Sequence, residues 1–271
     1  MSIYKSITLK FIMMPLNSIG KSALNQIALL GKILMFLAAS LAGIPGKRQF
    51  SNTMKHVYSI GVRSTLIVML VGLFTGMVLG LQLYYTLVKF GSQGVLGSAL
   101  GLTLVRELGP VLTAIMITAR AGSAMTTEIG IQRITEQIDA LFTMGVDPLR
   151  YLVSPRIAAS IITFPILTAL FDIIGFLGGY ITGVVLLGLD SGAYFYRIHY
   201  SISFADINGG SIKAIVFALI VSTACSFNGY YTHLRSDSFG ARAVGLSTTS
   251  AVVVSSVLIL VADYVVTSFL L

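Results

Sequence analysis

A single cysteine in 271 residues, Cys225, excludes an intramolecular disulfide and any site built on several thiolates. It falls within an apolar run, where a buried structural thiol is expected. Charge is also scarce: Asp, Glu, Lys and Arg make up 10% of the chain, against 55% hydrophobic residues and a mean hydropathy of +0.89. Water-soluble domains do not have that balance, so the chain reads as an all-α integral membrane protein. Its three histidines, His56, His199 and His233, lack the close spacing of a metal site, and no metal is expected. No G-x-x-x-x-G-K-[ST] phosphate loop is present, since GIPGKR at 43–48 lacks a first glycine at the required spacing. The chain is therefore not expected to hydrolyse ATP, and no catalytic residue is assigned.

Acidic residues are missing altogether from the first 63 positions, which carry eight Lys or Arg. That distribution accounts for much of the net charge of +8 and points to an anionic lipid surface rather than to nucleic acid. The apolar stretch from Ile33 to Pro45 is short of the roughly 20 residues a hydrocarbon core demands. Residues 1–60 are accordingly read as an interfacial amphipathic arm. A signal peptide is disfavoured, because no small-residue cleavage pattern follows Phe11–Leu16.

Beyond the arm, residues 61–271 read as one membrane domain. Apolar runs of spanning length fall at about 64–88, 95–119, 157–188, 212–232 and 246–270, which predicts five transmembrane helices. With the N-terminus inside, fourteen Lys or Arg lie on the cytoplasmic side against three outside, so the C-terminus is expected outside. In the first span Gly72, Gly76 and Gly80 form a small-xxx-small stripe suited to close helix packing. Leu79, Leu83, Thr86, Leu87 and Phe90 make a bulkier neighbouring face that either lines an apolar cavity or meets lipid.

The segment from Val105 to Arg156 holds five of the ten acidic residues. Arg106 and Glu107 sit about ten residues into the second span, near mid-membrane by sequence, where unpaired charge costs several kcal/mol. Pro110 leaves the Arg106 carbonyl without its helical donor and should bend the helix. The pair reads either as a structural ion pair, for instance with Lys213, or as the polar floor of a substrate cavity. For the in-span acids Asp172 and Asp263, helix–helix hydrogen bonding is favoured over a proton or cation site. The alternative they leave open is an ion- or proton-coupled secondary carrier, and a structural membrane anchor is a third reading.

Between the second and third spans, Thr127 is a candidate cap for an amphipathic helix over about 128–144, with Gly145 as its stop and Asp147-Pro148 preventing continuation. Ile131, Ile134, Ile138, Leu141 and Phe142 mark its apolar face. Its charged face suits docking into a groove of a soluble subunit.

Several of these segments carry a resemblance: GLFTGMVLGLQ (72–82), LVRELGPV (104–111), ARAGSAMTTEIGIQRITEQIDAL (119–141), MGVDPLRYLVSPR (144–156), FNGY (227–230) and the stretch toward Asp263. They run in order over most of residues 60–265, and the chain resembles the MlaE/YrbE-type permeases of MCE-associated ABC lipid transporters. The resemblance implies a bacterial inner-membrane homodimer that moves phospholipid and maintains outer-membrane lipid asymmetry. Its implied partners are a cytoplasmic ABC ATPase, which uses the ATP, a periplasmic MCE-domain protein and a small STAS-domain protein. It further implies that Leu79, Gln82, Thr86, Leu87, Phe90, Arg106, Glu107 and Leu108 line the lipid cavity, with Lys213 near its periphery. Glu128, Arg133, Glu136 and Asp139 would then lie on the helix that couples to the ATPase.

Overall fold

Long apolar runs leave their backbone no partner but itself, so helices are the expected outcome in a membrane. The computed structural model describes residues 24, 26–44, 50–234 and 239–270, and the described residues fold as helices joined by short turns. We label them α1 (Gln26–Ala42), α2 (Phe50–Val88), α3 (Gln93–Ile134), α4 (Gln137–Thr143), α5 (Leu149–Leu186), α6 (Ser191–Ser201), α7 (Phe204–Tyr230) and α8 (Gly240–Leu270). Five of them, α2, α3, α5, α7 and α8, are long and apolar enough to cross a membrane.

Local signals set the ends. Gly91, Gly145 and Gly188 adopt positive φ just beyond α2, α4 and α5, the left-handed conformation that stops a helix. Asp190 caps α6 by accepting from the Ala193 amide at 2.6 Å. Ser203 and Asp206 form a reciprocal capping box at the start of α7.

The expected arm is only partly within the described residues, since positions 1–23 lie outside them. At about 1.5 Å per residue α1 is roughly 25 Å long, shorter than a hydrocarbon core of about 30 Å. It docks on the bundle through Phe36, whose ring packs edge-on against Phe227 and Tyr230 at 5.5 and 5.8 Å. Ser154 Oγ ties its far end by donating to the Ser40 carbonyl at 2.6 Å. The FNGY segment is thus the seat of α1. The boundary drawn at residue 60 falls inside a continuous helix, because α2 already begins at Phe50.

The glycine stripe does what its spacing promised. Gly72, Gly76 and Gly80 face Phe171, Gly175 and Gly179 of α5, and a Cβ on Gly76 would collide with the Gly175 carbonyl. From there α5 packs on α7, which also meets α3 and α8. The burial of the most apolar window in each helix separates a centre from a rim: 56% for α3 and α7 and 50% for α5, against 22% for α2 and 11% for α8. The unburied sides of α2 and α8 carry large apolar residues such as Phe74, Val78, Leu258 and Val261, free to meet lipid or another chain.

The helix expected over 128–144 is not a separate element. Residues 123–134 continue α3, because Thr127 lies mid-helix with its Oγ1 3.0 Å from Thr248 Oγ1 of α8. Tertiary contact has overridden a local capping signal. The chain breaks instead at Glu136, a non-glycine residue at φ 60°, and only the short α4 follows before Gly145.

Candidate functional site

The central helix α3 is interrupted twice by wide π-helical turns, Leu104–Leu108 and Thr118–Gly122. Such turns release backbone groups from the regular ladder and recur at functional sites. The first carries Arg106 and Glu107, just ahead of Pro110. The carbonyl that Pro110 deprives of a donor does find one: Lys213 Nζ of α7 donates to the Arg106 carbonyl at 2.8 Å.

Lys213 is the hub of this layer. Its side chain is 3% exposed, and its ammonium also donates to Glu107 Oε2 at 2.8 Å and lies 3.0 Å from Asp263 Oδ1 of α8, an ion pair off the angle of a hydrogen bond. The other Glu107 oxygen accepts from Thr267 Oγ1 at 3.4 Å. Lys213 therefore sits at the centre of the charges and also on the wall of the cavity beside them, because α7 approaches α3 closely where Gly210 meets the Val105 carbonyl. Of the two readings left open for Arg106 and Glu107, the structure supplies the ion pair with Lys213 and sets it beside a cavity.

Arg106 is held differently. Its Nε donates to Asp206 Oδ1 at 2.6 Å, while Asp206 Oδ2 accepts from the Ser203 amide and hydroxyl at 2.8 and 2.7 Å. The carboxylate is fixed by its own capping box, so the guanidinium it grips is fixed too. The Arg106 side chain is nevertheless 44% exposed, and both of its terminal nitrogens are left for a ligand. A cavity of about 310 Å³ opens here, lined by Arg106, Glu107, Asp206, Lys213, Thr267 and Leu270 among others.

The placement along the bundle corrects the sequence reading. Arg106 is level with the first turn of α7 and the last turn of α8, so the layer lies toward the α6 end rather than at the middle. Counting residues from the start of α3 missed this because the helices are staggered.

The expected lipid-contacting residues do not all gather in one chain. Gln82 and Thr86 are exposed on α2 and Phe90 in the turn just beyond it, Leu79 and Leu87 are half-buried against core clusters, and none of the five lines the Arg106 cavity. Leu108 packs inward on the core. The residues assigned to coupling also divide. Arg133, Glu136 and Asp139 line a cavity of about 320 Å³ near His233, where Arg133 bonds Asp139 at 2.7 Å and His233 Nδ1 at 2.9 Å. Partial burial, and then the Arg133 charge, hold the His233 ring below the usual histidine range. Glu128 instead turns to Arg156 of α5, 3.0 Å away.

The in-span acids part company as well. Asp263 bridges helices, though through an ion pair rather than a neutral hydrogen bond. Asp172 is buried with Oδ1 lacking a partner among the described residues, pressed against Gly109 on a cavity of about 190 Å³.

Comparison with known proteins matches this arrangement to one family. The profile of the family described as "Permease MlaE" covers residues 53–269. The chain belongs to the MlaE permease family. The "Intermembrane phospholipid transport system permease protein MlaE" of Haemophilus influenzae is 40% identical over 94% of this chain and 97% of its own length. A "Probable ABC transporter permease protein" of Rickettsia bellii is also 40% identical, over 93% and 95%. "Protein TRIGALACTOSYLDIACYLGLYCEROL 1, chloroplastic" of Arabidopsis thaliana is 34% identical over 83% of this chain and 63% of its own length.

The MlaE family match includes both π-helical turns of α3 and every member of the Arg106 layer. Three of those members, Ser203, Asp206 and Thr267, were not singled out in the sequence, and for the first two a local pattern exists. The signal was there: SFAD at 203–206 is a capping-box pattern opening an apolar run. It was passed over because the fourth span was started at residue 212, which left Asp206 in an external loop.

Proposed function

We propose that this chain is the membrane permease subunit of an ATP-driven transporter that moves phospholipid between the inner membrane and a periplasmic MCE-domain protein, so maintaining outer-membrane lipid asymmetry. The observation that carries this reading is the way Arg106 is held. A guanidinium clamped through Nε by a buffered carboxylate presents its two terminal nitrogens to a cavity, the geometry that binds a phosphate with two parallel hydrogen bonds. The names of the Haemophilus and Rickettsia relatives support the transport system and its ABC class.

In this reading five spans are half of an ABC membrane domain, and two copies pair about a two-fold axis. Pairing brings the exposed α2 face with Gln82 and Thr86, and Phe90 in the turn beyond it, beside the Arg106 cavity, so acyl chains meet apolar walls while the headgroup meets the charges. The cavity among Arg133, Glu136, Asp139 and His233 faces the ABC ATPase, which hydrolyses the ATP and is joined by a STAS-domain protein. The basic arm places the N-terminus in the cytoplasm and the C-terminus in the periplasm. Closure of the ATPases squeezes the dimer interface, and Pro110 and Pro165 let α3 and α5 bend as lipid leaves.

The test is co-purification of the tagged chain from its native operon, with mass spectrometry of proteins and lipids. The reading expects an ATPase, an MCE-domain protein and phospholipid, with the lipid lost on Arg106→Ala. A chain recovered without an ATPase and without lipid contradicts it. The unpartnered Asp172 carboxyl favours one second reading, a proton-coupled carrier; that reading expects transport driven by a pH gradient without ATP and abolished by Asp172→Asn.

A further inference from the structure

The second π-helical turn of α3 carries its own charges, and they are not balanced. Arg120 there, Arg63 of α2 and Arg156 of α5 line one cavity of about 70 Å³ together with His56, and among the described residues the only acid on its wall is Glu128. Glu128 is committed to Arg156 Nη2 at 3.0 Å. Arg120 donates through Nη1 to neutral oxygens only, the Ser59 carbonyl at 2.8 Å and Ser64 Oγ at 3.1 Å. Arg63 is exposed over the Tyr58 ring at 5.8 Å and pairs with no carboxylate among the described residues.

Arg156 makes the imbalance costly. Its side chain is 4% exposed, yet Nε and Nη1 have no hydrogen-bond partner among the described residues. Buried donors are almost always satisfied, and charged ones left unpaired cost more than neutral ones. The backbone is shaped around the same spot, since Ser59 and Ile60 come from a π-helical turn of α2, Tyr58–Val62, facing the one that carries Arg120. Three guanidiniums from three helices, two wide turns and a buried arginine with free donors call for an oxyanion.

We propose that this cavity is a binding site for a single phosphate group, held by Arg63 and Arg120 beside the buried charge of Arg156. The volume decides the size of the ligand. A water needs roughly 10–15 Å³ of such space, so about 70 Å³ takes a phosphate and not a whole lipid. Arg63 on its wall is exposed, so a phosphate can reach it either as free phosphate or still attached to a glycerolipid whose acyl chains stay outside. The site lies at the α1 end of the bundle, away from the Arg106 cavity, and does not depend on the transport reading.

The experiment uses the full chain purified in a neutral detergent, with binding followed by tryptophan-free thermal unfolding and native mass spectrometry. Phosphatidylglycerol, inorganic phosphate and diacylglycerol are the probes, each against wild type, Arg63→Gln, Arg120→Gln and the control Arg197→Gln, an exposed α6 residue that lines neither cavity. Arg63→Gln touches no buried partner, so it remains informative if Arg120→Gln fails to fold. The site expects one arginine-dependent phosphatidylglycerol per chain, bound at least tenfold more weakly by Arg63→Gln and Arg120→Gln and unchanged by Arg197→Gln; diacylglycerol should be insensitive to the arginines. If inorganic phosphate is bound with the same arginine dependence and displaces the lipid, the physiological source is free phosphate; if only the lipid shows it, the source is a headgroup. Phosphatidylglycerol and phosphate binding that is equal in wild type and both variants overturns the site.

Discussion

The two π-helical turns of α3 set the same residue type in the same helix and leave it in opposite states. At Leu104–Leu108, Arg106 and Lys213 face three carboxylates, Glu107, Asp206 and Asp263, each drawn into contact from a different part of the bundle. At Thr118–Gly122, three arginines share one carboxylate, and Arg120 leans on neutral oxygens. The first layer is a closed network in which only the outer nitrogens of Arg106 remain available. The second is an open cationic site. Burial of charge alone therefore does not separate scaffold from binding surface; the surplus of unsatisfied donors does.

The largest effect expected from breaking this contrast is at Lys213. Lys213→Met removes the hub and leaves Glu107 and Asp263 facing each other without a cation, a loss of about 3–5 kcal/mol by analogy with broken buried pairs. A thermal unfolding scan in detergent reads it, and adding Asp263→Asn should recover part of the loss. Next is Asp206→Asn, which frees the Arg106 guanidinium to swing. It should cost about 1.5–3 kcal/mol, the usual worth of a hydrogen bond to a charged group, and lower bound phospholipid severalfold although it touches no lipid-facing atom. Arg120→Gln, in the open site, should cost only about 1 kcal/mol, because both of its partners are neutral oxygens.

The smallest effect concerns His233. Its ring is held below the usual value of about 6.5, so the unfolded chain binds the proton more readily than the folded one. That contribution is fully present above pH 6.5 and is lost as the pH falls below it. Melting temperatures at pH 8 and pH 5.5 should therefore differ less in His233→Gln than in wild type, and an equal difference would contradict the assignment.

How much of this was legible in the sequence depended on range. The glycine stripe and the number of spans follow from local composition, and five long apolar helices are present, though α7 begins at Phe204 and not at 212. Pro110 exposed a carbonyl in the sequence, and the structure supplied its donor. What local pattern could not show was stagger: Asp206 looked external and Arg106 looked central until α7 was seen to begin at the level of the charged layer. Thr127 failed as a cap for a related reason, since α8 packs beside it and lets α3 run on to Ile134. The lipid-facing set divided between α2 and the Arg106 cavity because sequence similarity groups residues that one chain alone does not bring together.

The most direct measurement of the central claim is site-specific photocrosslinking of lipid in the Arg106 cavity. A photoreactive amino acid placed at Leu270, on the cavity wall, should capture radiolabelled phospholipid in cells, and the yield should fall severalfold in Arg106→Gln and in Asp206→Asn. Absence of lipid at that position, or a yield indifferent to Arg106, would contradict a phosphate held at that guanidinium.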